Sequence, residues 1–166
     1  MVKSSFSEFV QLFPQIELPI TLSEESQGHF SKANPPIPAQ YVHEFIAPLQ
    51  KTDIDDFTEF LACFRIPKAK EFVGIVYWKA SLMTYEYILA TFTNKGVLID
   101  QQVLAGTSAE GAAIARTVAT IDEEWDIFIV GGVEILNANT NDGTNSEAMK
   151  LSITDQGQIV VDNSAE

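Results

Sequence analysis

The hydrophobic pattern of this chain changes period near Thr58, and this change restricts the folds that the chain can adopt. Before Thr58, apolar residues recur at the spacing of a helix, whereas after it they alternate with polar residues or form short continuous runs. The links between these runs are shorter than the dozen or more residues that a parallel crossover requires. Consecutive runs are therefore expected to pair antiparallel, as in a β-meander.

We predict eight strands, at residues 58–66, 71–80, 84–93, 97–105, 113–121, 125–130, 149–154 and 158–162. Two links, residues 93–96 and 154–157, carry Asn or Asp after a threonine and end on glycine, which favours a tight hairpin turn. Residues 72–78 are apolar on both faces, which predicts a central strand covered on both sides. Residues 149–154 alternate, so this strand should lie nearer an edge with one face in water.

Two short helices are predicted before the strands. Residues 5–13 carry apolar side chains at the spacing that places them on one helix face. A second helix is predicted from Pro38 to about Ala47, where Pro48 should stop it. The polar, proline-containing stretch 23–38 between them is predicted to be a loop.

The expected fold class is therefore α+β, with two short N-terminal helices packed on a curved antiparallel meander of about seven or eight strands. Residues 1–57 would form the helical and loop region and residues 58–166 the sheet, together one globular domain spanning 1–166. A chain of 166 residues buries roughly 70% of its unfolded surface on folding, which is enough for a core without disulfides.

The acidic character of the chain disfavours several classes of partner. Residues 1–57 hold three basic and eight acidic side chains, residues 58–93 hold four and three, and residues 94–166 hold three and twelve. A surface of this sign repels the phosphate backbone of nucleic acids and anionic membranes. The acidic C-terminal half would instead attract a basic protein, although the same charge also serves solubility alone.

The sequence also indicates a compartment. Cys63 is the single cysteine, so no intramolecular disulfide can form. Residues 1–20 lack the apolar run of a signal peptide, and no stretch has the roughly 18 uncharged apolar residues needed to span a bilayer. From these features we expect a soluble, cytoplasmic protein.

Motifs for catalysis or metal binding are weak. The polar stretch 137–147 resembles a calcium loop in composition, but with Gly143 at the sixth position the twelfth is Met149, which cannot be a bidentate ligand. This stretch is therefore predicted to be an exposed loop. Cys63 and His43 form the one dyad that could be suggested, and nothing in the sequence supplies an orienting carboxylate or an oxyanion hole. We expect no metal, no other cofactor and no identifiable catalytic residue.

The candidate binding residues lie in the middle of the chain, where aromatic and basic side chains fall on what should be neighbouring strands. They are Arg65, Trp78, Tyr85, Tyr87 and Arg116. Aromatic rings with arginine are the residue types that dominate binding hot spots, although most such rings also serve a core.

Three functions remain open from the sequence. The first is a non-catalytic protein-binding or interaction module, such as a small inhibitor or immunity-type protein that meets a basic partner. The second is a small-ligand binder with a pocket between the sheet and the helices, in which Arg65 or Arg116 contacts an anionic group. The third is an enzyme with an unrecognised site. Binding of a basic partner should weaken as salt rises, whereas an enclosed apolar pocket should keep its ligand.

Overall fold

A computed structural model of the protein describes residues 5–50, 56–135 and 145–162. The helical elements are α1 (Ser5–Gln11), α2 (Ser26–Ala33), α3 (Ala39–Tyr41), a π-helix (Val42–Ile46) and a 3-10 turn (Ala47–Leu49). The strands are β1 (Ile20–Leu22), β2 (Glu59–Arg65), β3 (Val73–Ser81), β4 (Thr84–Phe92), β5 (Leu98–Glu110), β6 (Ala113–Ile121), β7 (Asp126–Ile135), β8 (Asn145–Ile153) and β9 (Ile159–Val161). None of the described helices is long and apolar enough to cross a membrane.

Strands β2 to β9 pair antiparallel in chain order, so the predicted meander and the α+β class are confirmed. The ninth strand, β1, comes from the N-terminal region and pairs with the second half of β6, at residues 119–121. The first half of β6, at residues 113–117, pairs with β5. One edge of β6 therefore pairs with two different strands. Its pairing with β5 ends at residue 117, and its pairing with β1 begins at residue 119.

The sheet has apolar side chains on both faces of its first three strands, as the sequence predicted for residues 72–78. On one face, Ile75 and Tyr77 of β3 pack in a core with the phenylalanines of α1 and with Ile46 of the π-helix. On the other face, Val76 belongs to a second core formed with side chains of α2 and of β4 to β8. The fold therefore has three layers, with the first strands of the sheet in the middle.

One helix forms where the sequence predicted a loop. Residues 23–38 were expected to be irregular, yet α2 occupies residues 26–33. Its Phe30 is buried, with its ring 5.9 Å from that of Phe64 and 6.3 Å from that of Tyr87. The prediction was wrong because a single buried aromatic anchors this polar helix, and one anchor leaves no apolar period in the sequence.

The second predicted helix is present but irregular. It begins after Pro38 as a single α-turn, widens into the π-helix and closes in the 3-10 turn, which extends past the predicted end at Ala47 to Leu49. Pro48 lies in the first turn of this last segment, where its missing N–H group removes no helical hydrogen bond. The proline therefore ends the helix two residues later than expected.

Three strands are longer than predicted. β5 continues to Glu110 rather than residue 105, β7 continues to Ile135 rather than residue 130, and β8 begins at Asn145 rather than residue 149. The polar stretch 137–147, predicted as a loop, thus contributes residues 145–147 to β8, and its remainder lies outside the described residues. Pairing with β7 extends β8 into a polar segment because the ladder satisfies its backbone groups whatever its side chains are.

The free edge of β2 is protected by groups from the N-terminal region. The buried Asn34 side chain donates from Nδ2 to the carbonyl oxygens of Ala62, at 2.7 Å, and Cys63, at 3.0 Å. The register between β2 and β3 shifts at this point, which turns two successive carbonyls toward the amide. Arg65 N–H donates to the Pro14 carbonyl further along the same edge. Because these groups occupy the edge, β2 is blocked against pairing with another strand.

Replacing Asn34 by Asp tests this protection. The substitution removes both hydrogen-bond donors and places an acceptor against two buried carbonyls, so we expect the free energy of unfolding to fall by about 2 to 4 kcal/mol. Urea denaturation followed by circular dichroism measures the change. Asn94→Asp is the matched control, since Asn94 Nδ2 makes one exposed hydrogen bond, to the Lys70 carbonyl, and should cost less than about 1 kcal/mol. Equal losses in the two variants would contradict the assignment.

Both predicted glycine turns are present, with φ of 94° at Gly96 and 89° at Gly157. These values lie in the left-handed region, which glycine adopts without steric cost. A Cβ atom at Gly157 would also lie 2.8 Å from Cγ of the buried Phe72 ring. The β8–β9 turn can therefore pack directly against Phe72 only because residue 157 has no side chain.

Gly157→Ala should lower the free energy of unfolding by about 2 to 4 kcal/mol, because left-handed backbone strain and overpacking against Phe72 add together. Gly28→Ala is the opposite control. Gly28 lies inside α2 with open space around its Cα, so alanine there should raise the free energy by about 0.5 to 1 kcal/mol. Thermal and urea unfolding of both variants should show opposite signs, and a neutral Gly157→Ala would refute the packing described for this turn.

Candidate functional site

Four of the five residues singled out in the sequence lie on one face of the sheet. Trp78 and Tyr87 are directly opposite each other on β3 and β4. Tyr85 of β4 is paired with Thr107 of β5, and Thr107 is paired with Arg116 of β6. This register brings side chains that are far apart in sequence into two adjacent rows across the sheet.

The two aromatic rings nearest the end of the sheet are stacked. The Trp78 and Tyr85 rings are parallel, with an interplanar angle of 5° and centroids 5.9 Å apart. Tyr85 is 49% exposed, whereas Trp78 is partly buried. Tyr87 is buried, and its hydroxyl donates to the Ser23 carbonyl at 2.9 Å. Burial raises the pKa of Tyr87, so its hydroxyl remains protonated and acts as a structural donor.

The two arginines have different environments. Arg116 donates from Nε to Glu24 Oε1 at 3.3 Å and from Nη1 to Glu134 Oε2 at 3.0 Å, and Thr107 also donates to Glu24, at 2.6 Å. The Thr107 hydrogen bond and Arg116 hold the pKa of Glu24 below its usual value. Arg116 therefore fastens the segment before α2 to the sheet.

Arg65 lies apart from the other four residues. It pairs with Ile75, whose side chain belongs to the core under the helices, on the opposite face from Trp78. Its Nε is buried and has no hydrogen-bond partner within the described residues. The structure thus does not bring Arg65 together with Trp78, Tyr85 or Arg116.

The hairpin turn between β3 and β4 carries apolar side chains into solvent, a feature that sequence reasoning missed. Ser81 pairs with Thr84, so Leu82 and Met83 alone form the turn. Leu82 is 81% exposed and Met83 is 54% exposed. The signal for this feature was the sequence SLMT between two predicted strands, which contains none of the Gly, Asn, Asp or Pro residues that usually form such turns.

Met83 has a φ of 67°, in the left-handed region that a side chain disfavours. Among the described residues, Lys68 and Trp125 share this conformation without being glycine. The Trp125 ring packs edge-on against Phe72 at 5.4 Å, so a core contact offsets its strain. Lys68 is exposed and polar. Met83 therefore combines backbone strain with an exposed apolar side chain.

Carboxylates flank this turn on both neighbouring strands. Glu59 of β2 pairs with Ala80, the residue before Ser81, and is exposed. On the other side, the Ala109 N–H donates to the Met83 carbonyl at 2.9 Å, and the next residue, Glu110, is exposed. The end of the sheet thus presents an apolar turn between two acidic side chains.

A groove of about 1070 Å³ lies beside the Trp78 ring, along the first part of the β2 edge. One side is formed by α2 and the other by the π-helix and Gln50. Between them lies the edge of β2, where Leu61 faces the core that contains Phe30 and Phe60 faces the core under α1. This is a space between helices and sheet of the kind that the sequence suggested for a small ligand. Arg65 and Arg116 are absent from its described lining, so neither arginine can contact a ligand there.

A second apolar surface covers the outer face of β6 and β7, where Val118 pairs with Val130 and Phe128 lies beside them, all three exposed. Lys150 of β8 covers part of it, with Nζ 5.5 Å from the centre of the Phe128 ring. The same ammonium group is 3.0 Å from Asp162 and 3.8 Å from Asp126, and its pKa is raised mainly by Asp162. Lys150 is therefore a local counter-ion to these acids.

The described residues contain no group of three or more His, Cys, Asp or Glu side chains that could hold a metal ion. Cys63 is fully buried, and its Sγ contacts only the Leu61 carbonyl, at 3.9 Å, among the hydrogen-bond acceptors of the described residues. Burial strongly raises the pKa of the Cys63 thiol. His43 is exposed in the π-helix, so the geometry gives no support to a Cys63–His43 dyad.

The inert character of Cys63 can be measured with a thiol reagent such as Ellman's reagent. The native protein at pH 8 should release no thionitrobenzoate over the minutes in which a free thiol reacts, because the buried thiol is protonated. In denaturant one equivalent should appear, which is the internal control for the assay. Rapid reaction of the native protein, slowed by His43→Ala, would instead indicate an activated thiolate.

Comparisons with known proteins add no identity to this geometry: no protein-family model, curated protein or solved structure matches the chain.

Proposed function

We propose that this protein is a non-catalytic protein-interaction module that inserts the apolar turn of the β3–β4 hairpin into a basic partner. The contact surface, termed here the hairpin tip, consists of Leu82 and Met83 with the stacked pair Trp78 and Tyr85 behind them. The observation that carries the proposal is the exposure of Leu82 and Met83 together with the left-handed backbone of Met83.

The strain at Met83 supports a role outside the fold. A residue with a Cβ atom in the left-handed region costs roughly 1 to 2 kcal/mol, and glycine would remove that cost. The exposed Leu82 and Met83 side chains recover little of it by burial in the protein itself. Binding would recover it, because an apolar anchor gains its free energy when a partner removes it from water.

The charge around the hairpin tip favours a basic partner. Glu59 and Glu110 flank the turn. In the C-terminal half, Arg116 and Lys150 are each already held by two carboxylates, which leaves the surrounding acidic side chains in excess. We therefore expect the partner to have an apolar recess bordered by Lys or Arg, with the opposite charges directing the encounter.

Variants of the hairpin tip test the proposal in a capture experiment from the native source, with the immobilised full-length chain as bait and mass spectrometry as readout. Met83→Gly should reduce the recovery of a specific basic protein at least tenfold, and Leu82→Ser should do the same. Because strain relief offsets the flexibility of glycine in the unfolded chain, Met83→Gly should leave the free energy of unfolding unchanged or raise it by up to about 1 kcal/mol.

Val97→Ser is the matched control, since Val97 is also an exposed aliphatic residue but lies in the β4–β5 turn at the opposite end of the sheet. It should leave capture of the partner intact. Raising salt from about 0.05 to 0.5 M should weaken capture, because charge attraction between exposed groups is screened. Equal capture by wild type and Met83→Gly, or equal loss in Val97→Ser, would overturn the proposal.

A further inference from the structure

The groove beside the hairpin tip has two sides of different composition, with the edge of β2 between them. Gln27 and Ser31 of α2 line one side, and Val42 and His43 of the π-helix line the other. The groove continues to the Trp78 ring, which is part of the hairpin tip. The groove and the tip therefore form one continuous surface.

Glu59 and Trp78 are neighbours on the wall of this groove. Glu59 pairs with Ala80, and Leu61 pairs with Trp78, so Glu59 is the diagonal neighbour of Trp78 on the same face of the sheet. Side chains in this relation lie roughly 7 to 8 Å apart at Cα, within reach of a common ligand group. The Glu59 side chain is exposed and makes no hydrogen bond or ion pair within the described residues.

The charge of the groove selects the ligand. No Lys or Arg is among its described lining residues, and Glu59 is the one carboxylate there. Within this described lining an anionic group would meet no Lys or Arg side chain, and the nearby Lys79 ammonium group already donates to Gln50, at 2.7 Å. A cationic group would meet the free Glu59 carboxylate and an indole, the aromatic ring that attracts cations most strongly.

We infer that this groove binds an ammonium or guanidinium side chain, a Lys or Arg that the basic partner places beside the hairpin tip. Glu59 supplies the counter-charge and Trp78 the aromatic contact, while Leu61, on the same face of β2 as Glu59, packs against the aliphatic stem of the side chain. This inference rests on the proposed function, since it assigns the groove to the same partner. It adds to that function a binding site, the groove, and the class of group bound there, a cationic side chain.

Nuclear magnetic resonance of the ¹⁵N-labelled full-length chain tests the inference with a defined probe, the capped tripeptide acetyl-Gly-Arg-Gly-amide. The protein has two tryptophans, and Trp125 lies at the opposite end of the sheet in the β6–β7 turn, so its indole signal is an internal control. At peptide concentrations up to about 10 mM, which detects weak binding, the Trp78 indole signal should shift while the Trp125 signal stays in place.

The matched variants separate the local contact from the overall field of an acidic protein. Glu59→Gln should weaken peptide binding at least fivefold, whereas Glu123→Gln, which removes the same charge from the exposed β6–β7 turn, should change it less than twofold. The peptide with citrulline in place of arginine has the same shape without the charge and should cause no shift.

Absence of a Trp78 shift, an equal shift with citrulline, or equal effects of Glu59→Gln and Glu123→Gln would overturn the inference. These outcomes are distinct from a failure of the proposed function. If only the groove assignment is wrong, partner capture still depends on Met83. If only the hairpin tip assignment is wrong, the arginine peptide still shifts the Trp78 signal.

Discussion

The structure depends on the burial of β3 and β4 on both of their faces. Ile75 and Tyr77 point into one core and Val76 into another, and all three side chains are fully buried. A strand of this kind is stable only when two separate layers cover it, because each uncovered aliphatic or aromatic side chain forgoes roughly 1.5 to 3 kcal/mol. Helix α1 and the π-helix supply one layer, and α2 with the later strands of the meander supplies the other.

The burial of β3 and β4 on both faces leaves the turn between them as their most exposed part. The hairpin between β3 and β4 extends to Leu82 and Met83, at the end of the sheet where α1 does not lie. On the inner side, the segment before α2 is fastened by Glu24 to Thr107 and Arg116, next to the row that contains Tyr85. This exposed network thus holds the segment before α2 beside the part of the sheet that carries Tyr85.

Much of the fold could be predicted from the sequence because its strongest signals are local. The doubly apolar stretch 72–78 specifies a strand covered on both faces, although β3 lies next to the edge strand β2 and not at the centre of the sheet, and the glycines at 96 and 157 specify two turns. Helix α2 was not predicted because it depends on tertiary contacts of Phe30, and such contacts leave no pattern in the local sequence. The ends of β7 and β8 were missed because each strand extends as far as its partner does.

The site was predictable only in part, since it depends on register. Residue type alone singled out Trp78, Tyr85, Tyr87 and Arg116. Their shared face follows from three pairings across β3 to β6, namely Trp78 with Tyr87, Tyr85 with Thr107 and Thr107 with Arg116. No sequence pattern gives that register. Arg65 is of the same residue type as Arg116, but it lies on the other face of the sheet. It follows a shift in the β2–β3 register between Ala62 and Phe64. The apolar turn has no usual turn signal, because it lacks Gly, Asn, Asp and Pro, and only the exposure of Leu82 and Met83 and the φ of Met83 distinguish it.

Native-state hydrogen exchange tests the burial of β3 and β4 on both faces most directly. If β3 and β4 are covered by two layers, the amides of Val76, Tyr77 and Leu89 exchange only through global unfolding, and their opening free energy equals that measured with urea. Amides of β9, a three-residue strand at the edge, then exchange by local opening at lower free energy. Exchange of the β3 and β4 amides as fast as that of β9 would contradict the three-layer arrangement.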